Sequence, residues 1–170
     1  MYTSFQIANY FLKRAQDTGE EVTPMKLIKL CYIAHGWHLG IKDEPLLTET
    51  IYAWKYGPVI DTLYNEFKGY GDCPITMLYI EPNKWVYPMP DKPIEPFLDM
   101  IWKAYGKYDG IKLSAMTHQV GTPWYKVWHE EGAKTQRHIP IPNDYIKAHY
   151  KERMKDTGVN PQALAALLPA

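Results

Sequence analysis

The chain has 170 residues, 46% of them hydrophobic, with 19 Lys and Arg against 19 Asp and Glu. That length suits one domain with a sizeable core, and the balanced charge removes the usual electrostatic argument for nonspecific binding to nucleic acid or membrane. Two cysteines exclude a disulfide scaffold, no apolar run reaches the ~18 residues of a spanning helix, and the start lacks a signal-peptide pattern, so a cytoplasmic, reduced protein is expected.

Thr3 or Ser4 can cap a first helix over 3–18, where Ala8, Phe11, Leu12 and Ala15 recur at helical spacing and Gly19 is the stop. Thr23 and Pro24 read as the N-cap and first turn of a second helix over 24–40, with Gly40 as its end. Leu27, Ile28, Leu30, Cys31, Ile33, Ala34, Trp37 and Leu39 cover nearly its whole circumference, and only Lys26 and Lys29 mark a wet side. A helix apolar most of the way round belongs inside a core.

Residues 48–54 suggest a short strand. Gly57 then permits a bend, and Pro58 opens a third helix with Ile60, Leu63, Tyr64 and Phe67 on its apolar face. Residues 75–80 read as a strand able to pair with 84–87, before Pro88, Pro90, Pro93 and Pro96 forbid regular pairing. Pro93 opens a fourth helix that Gly106 or Gly110 ends. Ser114 can cap a short helix to about Gln119, and Thr122-Pro123 repeats the Thr-Pro start ahead of Trp124, Val127 and Trp128. Residues 139–142 are extended, and Asn143 caps a last helix bearing Tyr145, Ile146, His149 and Tyr150. In the 156–170 tail, residues 163–168 dock as a short helix or stay mobile. The fold class is mainly α: a compact helical domain around the central buried helix 24–40, with a small two- or three-stranded β element.

Cys31, His35 and His38 lie at i, i+4 and i+7, along one helix face. They could ligate zinc with Cys73 or His118. No CxxC or HExxH accompanies them, and buried Cys and His more often pack and hydrogen-bond, so no metal or cofactor is expected. Ser4 and Ser114 have no GxSxG frame, and Glu20-Glu21 and Glu130-Glu131 read as solvated surface, so no catalytic residue is assigned. Lys147, Lys151, Arg153 and Lys155 make a basic stretch that suits phosphate contacts or a solvated helix end; the zero net charge favours the latter. The 14 Tyr and 6 Trp suit a core rim or an interface equally. Trp54-Lys-Tyr-Gly-Pro-Val59 is a packing corner or a binding surface.

Three blocks carry a resemblance: Lys26-Leu-Ile-Lys-Leu-Cys-Tyr-Ile-Ala-His-Gly-Trp37, Ala53-Trp-Lys-Tyr-Gly-Pro-Val59, and Leu113-Ser through Thr122-Pro-Trp124. In content and order they resemble the Panacea antitoxin family, the domain of SocA-like antitoxins and GepA-like phage-associated proteins. The resemblance implies a helical domain over 1–155, with the 156–170 tail outside it, no established catalytic centre and no cofactor. Family members are typically encoded beside a toxin gene and neutralise the toxin by binding it. The resemblance therefore implies a noncatalytic antitoxin whose partner is a cognate toxin from an adjacent gene; the balanced charge gives no reason to expect a membrane or nucleic-acid partner. The shared blocks fall on Trp54, Lys55, Tyr56, Gly57, Pro58, Pro123 and Trp124, which either hold the scaffold or bind the partner. Members also occur as lone phage or prophage genes, so a phage accessory protein that binds a host protein is the second reading. A metal-dependent enzyme using Cys31, His35 and His38 is the third.

Overall fold

The computed structural model describes residues 1–158 and 160–169. Helix α1 (Ser4–Thr18) starts on the Thr3 side chain, and Gln6 reciprocates to complete a capping box. Ser4 is the first residue inside the helix and is fully buried. Its N–H and hydroxyl donate to Glu49 Oε1 at 2.8 and 2.6 Å.

Helix α2 (Pro24–Lys42) is capped by Thr23, as its sequence suggests. It passes through Gly40 and ends on Asp43 in the left-handed conformation, φ 60°. Gly40 is not a stop because it has a packing role, shared with Gly36 one turn earlier. Both face Tyr150 of α7 (Asn143–Asp156). A Cβ on Gly36 would lie 2.0 Å from Tyr150 Cε2, and one on Gly40 3.0 Å from Tyr150 Cβ. The pair makes a notch in α2 that the Tyr150 ring fills. Asp43 then pairs with Lys147 and Lys151, which fixes the same two helices at the surface.

Around α2 pack α1, α3 (Asp61–Phe67), α4 (Glu95–Tyr105), α5 (Gly110–His118), α7 and α8 (Pro161–Ala165). The expected wet side of α2 does not exist: Lys26 is 4% exposed and Lys29 is 2% exposed. Long stems let lysines cross apolar surface. Lys26 uses this to lay its ammonium over the Trp102 ring, 5.7 Å from the centroid. Lys29 instead finds an oxygen inside the protein.

Strands β1 (Tyr52–Trp54), β2 (Gly57–Val59) and β3 (Ile139–Pro140) form an antiparallel sheet in the order β2-β1-β3. Pro58 therefore lies in a strand, opposite Ala53, and α3 begins only at Asp61. An edge strand tolerates a residue without an N–H.

Residues 75–80 and 84–87 do not form the expected hairpin; one isolated bridge joins Glu81 and Val86. Asn9 of α1, fully buried, takes the place of a partner strand. Its Oδ1 accepts from the Tyr79 N–H at 2.8 Å, and its Nδ2 donates to the carbonyls of Tyr79 at 2.8 Å and Pro88 at 3.0 Å.

Helix α4 follows a 3-10 turn at Lys92–Ile94 and ends at Gly106. Gly110 opens α5 under an Asp109 cap, so Ser114 is mid-helix rather than a cap. Thr122 does cap the next turn, α6 (Pro123–Tyr125), which continues as a π-helical turn over Lys126–Glu130. Asn143 opens α7 without capping it, because its side chain is engaged by His35. At the far end Leu164 and Leu168 are buried, and Lys42 Nζ donates to the Pro169 carbonyl at 2.9 Å. No helix among the described residues is long and apolar enough to cross a membrane.

The notch gives a test. Gly36→Ala should destabilise the fold by about 2 kcal/mol or more through overpacking, and Tyr150→Ala by about 3–5 kcal/mol through a cavity. Gly36→Ala should cost little once residue 150 is alanine, because the ring it strikes is gone. Urea midpoints of the two single variants and the double variant measure this; strictly additive losses would refute the close approach.

Candidate functional site

The seven residues singled out by sequence meet at one corner. Lys55 and Tyr56 form the two-residue turn between β1 and β2. The carbonyls of this stretch are held by side chains from three other elements. Trp124 Nε1 of α6 donates to the Trp54 carbonyl at 2.7 Å, Ser114 Oγ of α5 to Tyr56 at 2.9 Å, and Lys29 Nζ of α2 to Pro58 at 2.8 Å. His118 of α5 places Nε2 3.3 Å from the Lys55 carbonyl oxygen. Gly57 sits at φ 108°, and a Cβ there would lie 2.9 Å from Lys29 Nζ and 3.0 Å from Thr117 Oγ1. Only glycine meets both demands. Pro123 and Trp124 are buried beneath the turn. Lys55 and Tyr56 alone among the seven present exposed side chains. The sequence did not reveal the donors Lys29, Ser114 and His118, although a lysine inside an otherwise apolar helix is itself a signal.

A second surface lies on the 75–90 segment. Trp85 is 80% exposed, Met77 64%, Tyr87 55% and Val86 48%. Asn83 and Trp85 both hold positive φ, at 68° and 55°. Beneath them the backbone is pinned by Asn9, and Tyr79 stacks on Phe5 at 3.7 Å. Large apolar side chains are thus displayed on an anchored frame. The sequence reading assigned these residues to strands; the signal for a display loop was Trp-Val-Tyr bracketed by Pro82 and Pro88.

Cys31, His35 and His38 share a helix face but point to different partners. Cys31 is fully buried, and burial raises its thiol pKa. His35 Nδ1 accepts from the Leu47 N–H at 3.2 Å, so Nε2 carries the proton and donates to Asn143 Oδ1 at 3.0 Å. His38 Nδ1 donates to the Glu44 carbonyl at 2.7 Å. Among the described residues no group of three or more His, Cys, Asp and Glu is placed to hold a metal. The basic stretch on α7 is largely neutralised, with Lys147 and Lys151 on Asp43 and Lys155 on Glu152.

Burial depresses four basic groups on α2: Lys29 falls from 10.5 to about 7, His35 falls from 6.5 to about 4, and Lys26 and His38 are lowered as well. In each interval the unfolded chain binds the extra proton, so stability rises with pH there. His35 removes stability as pH falls from 6.5 toward 4, on the order of 3 kcal/mol in all. Lys29 adds stability as pH rises from about 7 toward 10.5. Denaturant midpoints across this range check both. His35→Gln should make the acid limb shallower, with His38 and His149 keeping the remainder, and Lys29→Met should reduce the alkaline rise; an unchanged slope in either variant would refute that assignment.

The family model described as antitoxin SocA-like, Panacea domain, matches residues 27–125. That span runs from α2 to α6 and contains the 54–58 turn, its buried donors and the display loop. The chain is also 27% identical over 161 residues to Antitoxin SocA of Caulobacter vibrioides (strain NA1000 / CB15N), covering 91% of this chain and 86% of that protein. No solved structure matches the chain. With the family match spanning more than half of its 170 residues, the chain belongs to the SocA-like, Panacea-domain antitoxin family.

Proposed function

We propose that this protein is a cytoplasmic, noncatalytic antitoxin that neutralises a cognate toxin, encoded by an adjacent gene, by binding it directly. The observation that carries the mechanism is the 75–90 loop: Trp85, Val86, Tyr87 and Met77 are exposed, yet Asn9 pins the backbone of the loop at Tyr79 and Pro88. Trp and Tyr dominate the energetics of protein interfaces when a partner buries them. A surface already fixed in place loses little entropy on binding. The resemblance to Antitoxin SocA supports the antitoxin role, and the four exposed apolar side chains support direct contact as its means.

The 54–58 turn has a different part in this reading. Its carbonyls are occupied by Trp124, Ser114 and Lys29, so Trp54, Gly57, Pro58, Pro123 and Trp124 hold the scaffold. Lys55 and Tyr56 remain available as peripheral contacts. Residues 1–155 form the binding domain, and α8 in the segment that follows seats on α2 through Leu164.

Co-expression with each flanking open reading frame tests the proposal. One neighbour should arrest growth alone, be tolerated in the presence of this protein and co-purify with it. Trp85→Ala with Tyr87→Ala should weaken the complex at least about 30-fold, the equivalent of one ~2 kcal/mol hot spot. Thermal unfolding should be nearly unchanged, because both side chains face solvent. If no neighbour is toxic and none binds, the antitoxin reading fails.

A further inference from the structure

A cleft of about 430 Å³ opens between α2, the 54–59 hairpin and α3. Ile28, Val59, Trp54 and Tyr64 give it apolar walls, and the two rings meet edge to face at 4.9 Å. Lys29 forms part of the wall, while Lys55 and Lys68 line it with exposed side chains. Lys55 lies over the Tyr56 ring at 5.3 Å and Lys68 over the Tyr64 ring at 5.9 Å. Such contacts hold a cationic head in place without neutralising it. Among the described residues, none of these three lysines has a carboxylate within ion-pair distance. Asp72 is the single acid of the lining.

Lys29 is the unusual member. It is 2% exposed, and its three N–H donors meet one acceptor, the Pro58 carbonyl. Burial lowers its pKa to about 7, so near neutral pH it is divided between amine and ammonium, and in either form it keeps a spare N–H donor. Beside it is a hollow whose walls suit a hydrocarbon stem and whose charge suits an anion. We propose that this cleft receives an acidic residue of a protein partner, flanked in the partner by an apolar side chain. The carboxylate enters among Lys29, Lys55 and Lys68, and the apolar neighbour lies against Trp54, Tyr64 and Ile28.

The proposal rests on the reading of the chain as a protein-binding antitoxin and adds the chemistry of the partner. The 75–90 loop contributes apolar area. The cleft contributes charge complementarity, which sets specificity and association rate more than raw affinity. The chain is neutral overall, so the attraction is local to this face.

The test uses the full chain labelled with 13C-lysine, titrated with 3-phenylpropionate and, separately, with its uncharged amide. Lysine side-chain signals and the Trp54 indole N–H report binding. The carboxylate should shift Lys29 and Trp54 saturably, and the amide should bind at least about tenfold more weakly. Lys29→Met should abolish the difference between the two probes. Because Lys29 is buried, the exposed pair Lys55→Glu with Lys68→Glu provides a variant that leaves the core untouched, and it should weaken carboxylate binding at least about tenfold. Trp85→Ala should change neither titration. In co-expression, the Lys55→Glu, Lys68→Glu variant should lose neutralisation of the toxin.

Equal shifts from acid and amide, or no shift from either, would overturn the proposal even where Trp85-dependent neutralisation persists. Full neutralisation by the charge-reversed variant would overturn it as a partner site and leave a small-molecule carboxylate site. The antitoxin reading itself fails on a different result, the absence of any toxic neighbour.

Discussion

Lys29 enters the core on a helix with no solvent side, so its amino group must find an oxygen within the protein. It finds the Pro58 carbonyl at 2.8 Å. That demand shapes the chain around it. For the carbonyl to face inward, the backbone reverses between Trp54 and Gly57, and Gly57 takes a positive φ with its Cα against the lysine head. The reversal turns the Trp54 and Tyr56 carbonyls inward as well, and those need donors. Trp124 and Ser114 supply them, which draws α6 and α5 onto the same corner. Buried polar groups are tolerable only when satisfied. A network anchored from several elements at once also rigidifies what it joins.

The other polar groups of α2 follow the same rule. Trp37 Nε1 donates to Tyr105 Oη at 2.9 Å, and His35 links Leu47 to Asn143. Each bond ties α2 to a different part of the chain. The family match begins at residue 27 and ends at 125, yet the core also needs α1 and α7, which both lie wholly outside that span. Tyr150 of α7 is the residue that fills the Gly36–Gly40 notch. The matched segment therefore carries the central helix and the motif corner, and the flanking helices close the core over them.

What could be read from the sequence was local. Thr3, Thr23 and Thr122 announce helix starts because a cap needs only its own next three residues. The centrality of α2 showed in its lack of a polar face. What could not be read depends on neighbours distant in the chain. Gly40 and Gly110 look like stops, but each marks a close approach by another element. Lys29 looks solvated because lysines usually are, and its acceptor is 29 residues away. Residues 75–80 have strand composition, but the decisive partner is one side chain on α1 rather than a second strand. The site was half legible. The Trp54–Pro58 block is conspicuous as a string, while its donors Lys29, Ser114 and His118 come from two helices with no spacing rule linking them.

Asn9 has a wider consequence. One side chain grips the loop at Tyr79 and again at Pro88, closing its base. The residues between those two points contribute little to the core. Substitutions, and even small changes in length, can accumulate there without retuning the helices below. Within this loop the apolar surface on display is carried by residues that folding does not need, so that surface can drift in one short stretch while the helices beneath stay fixed.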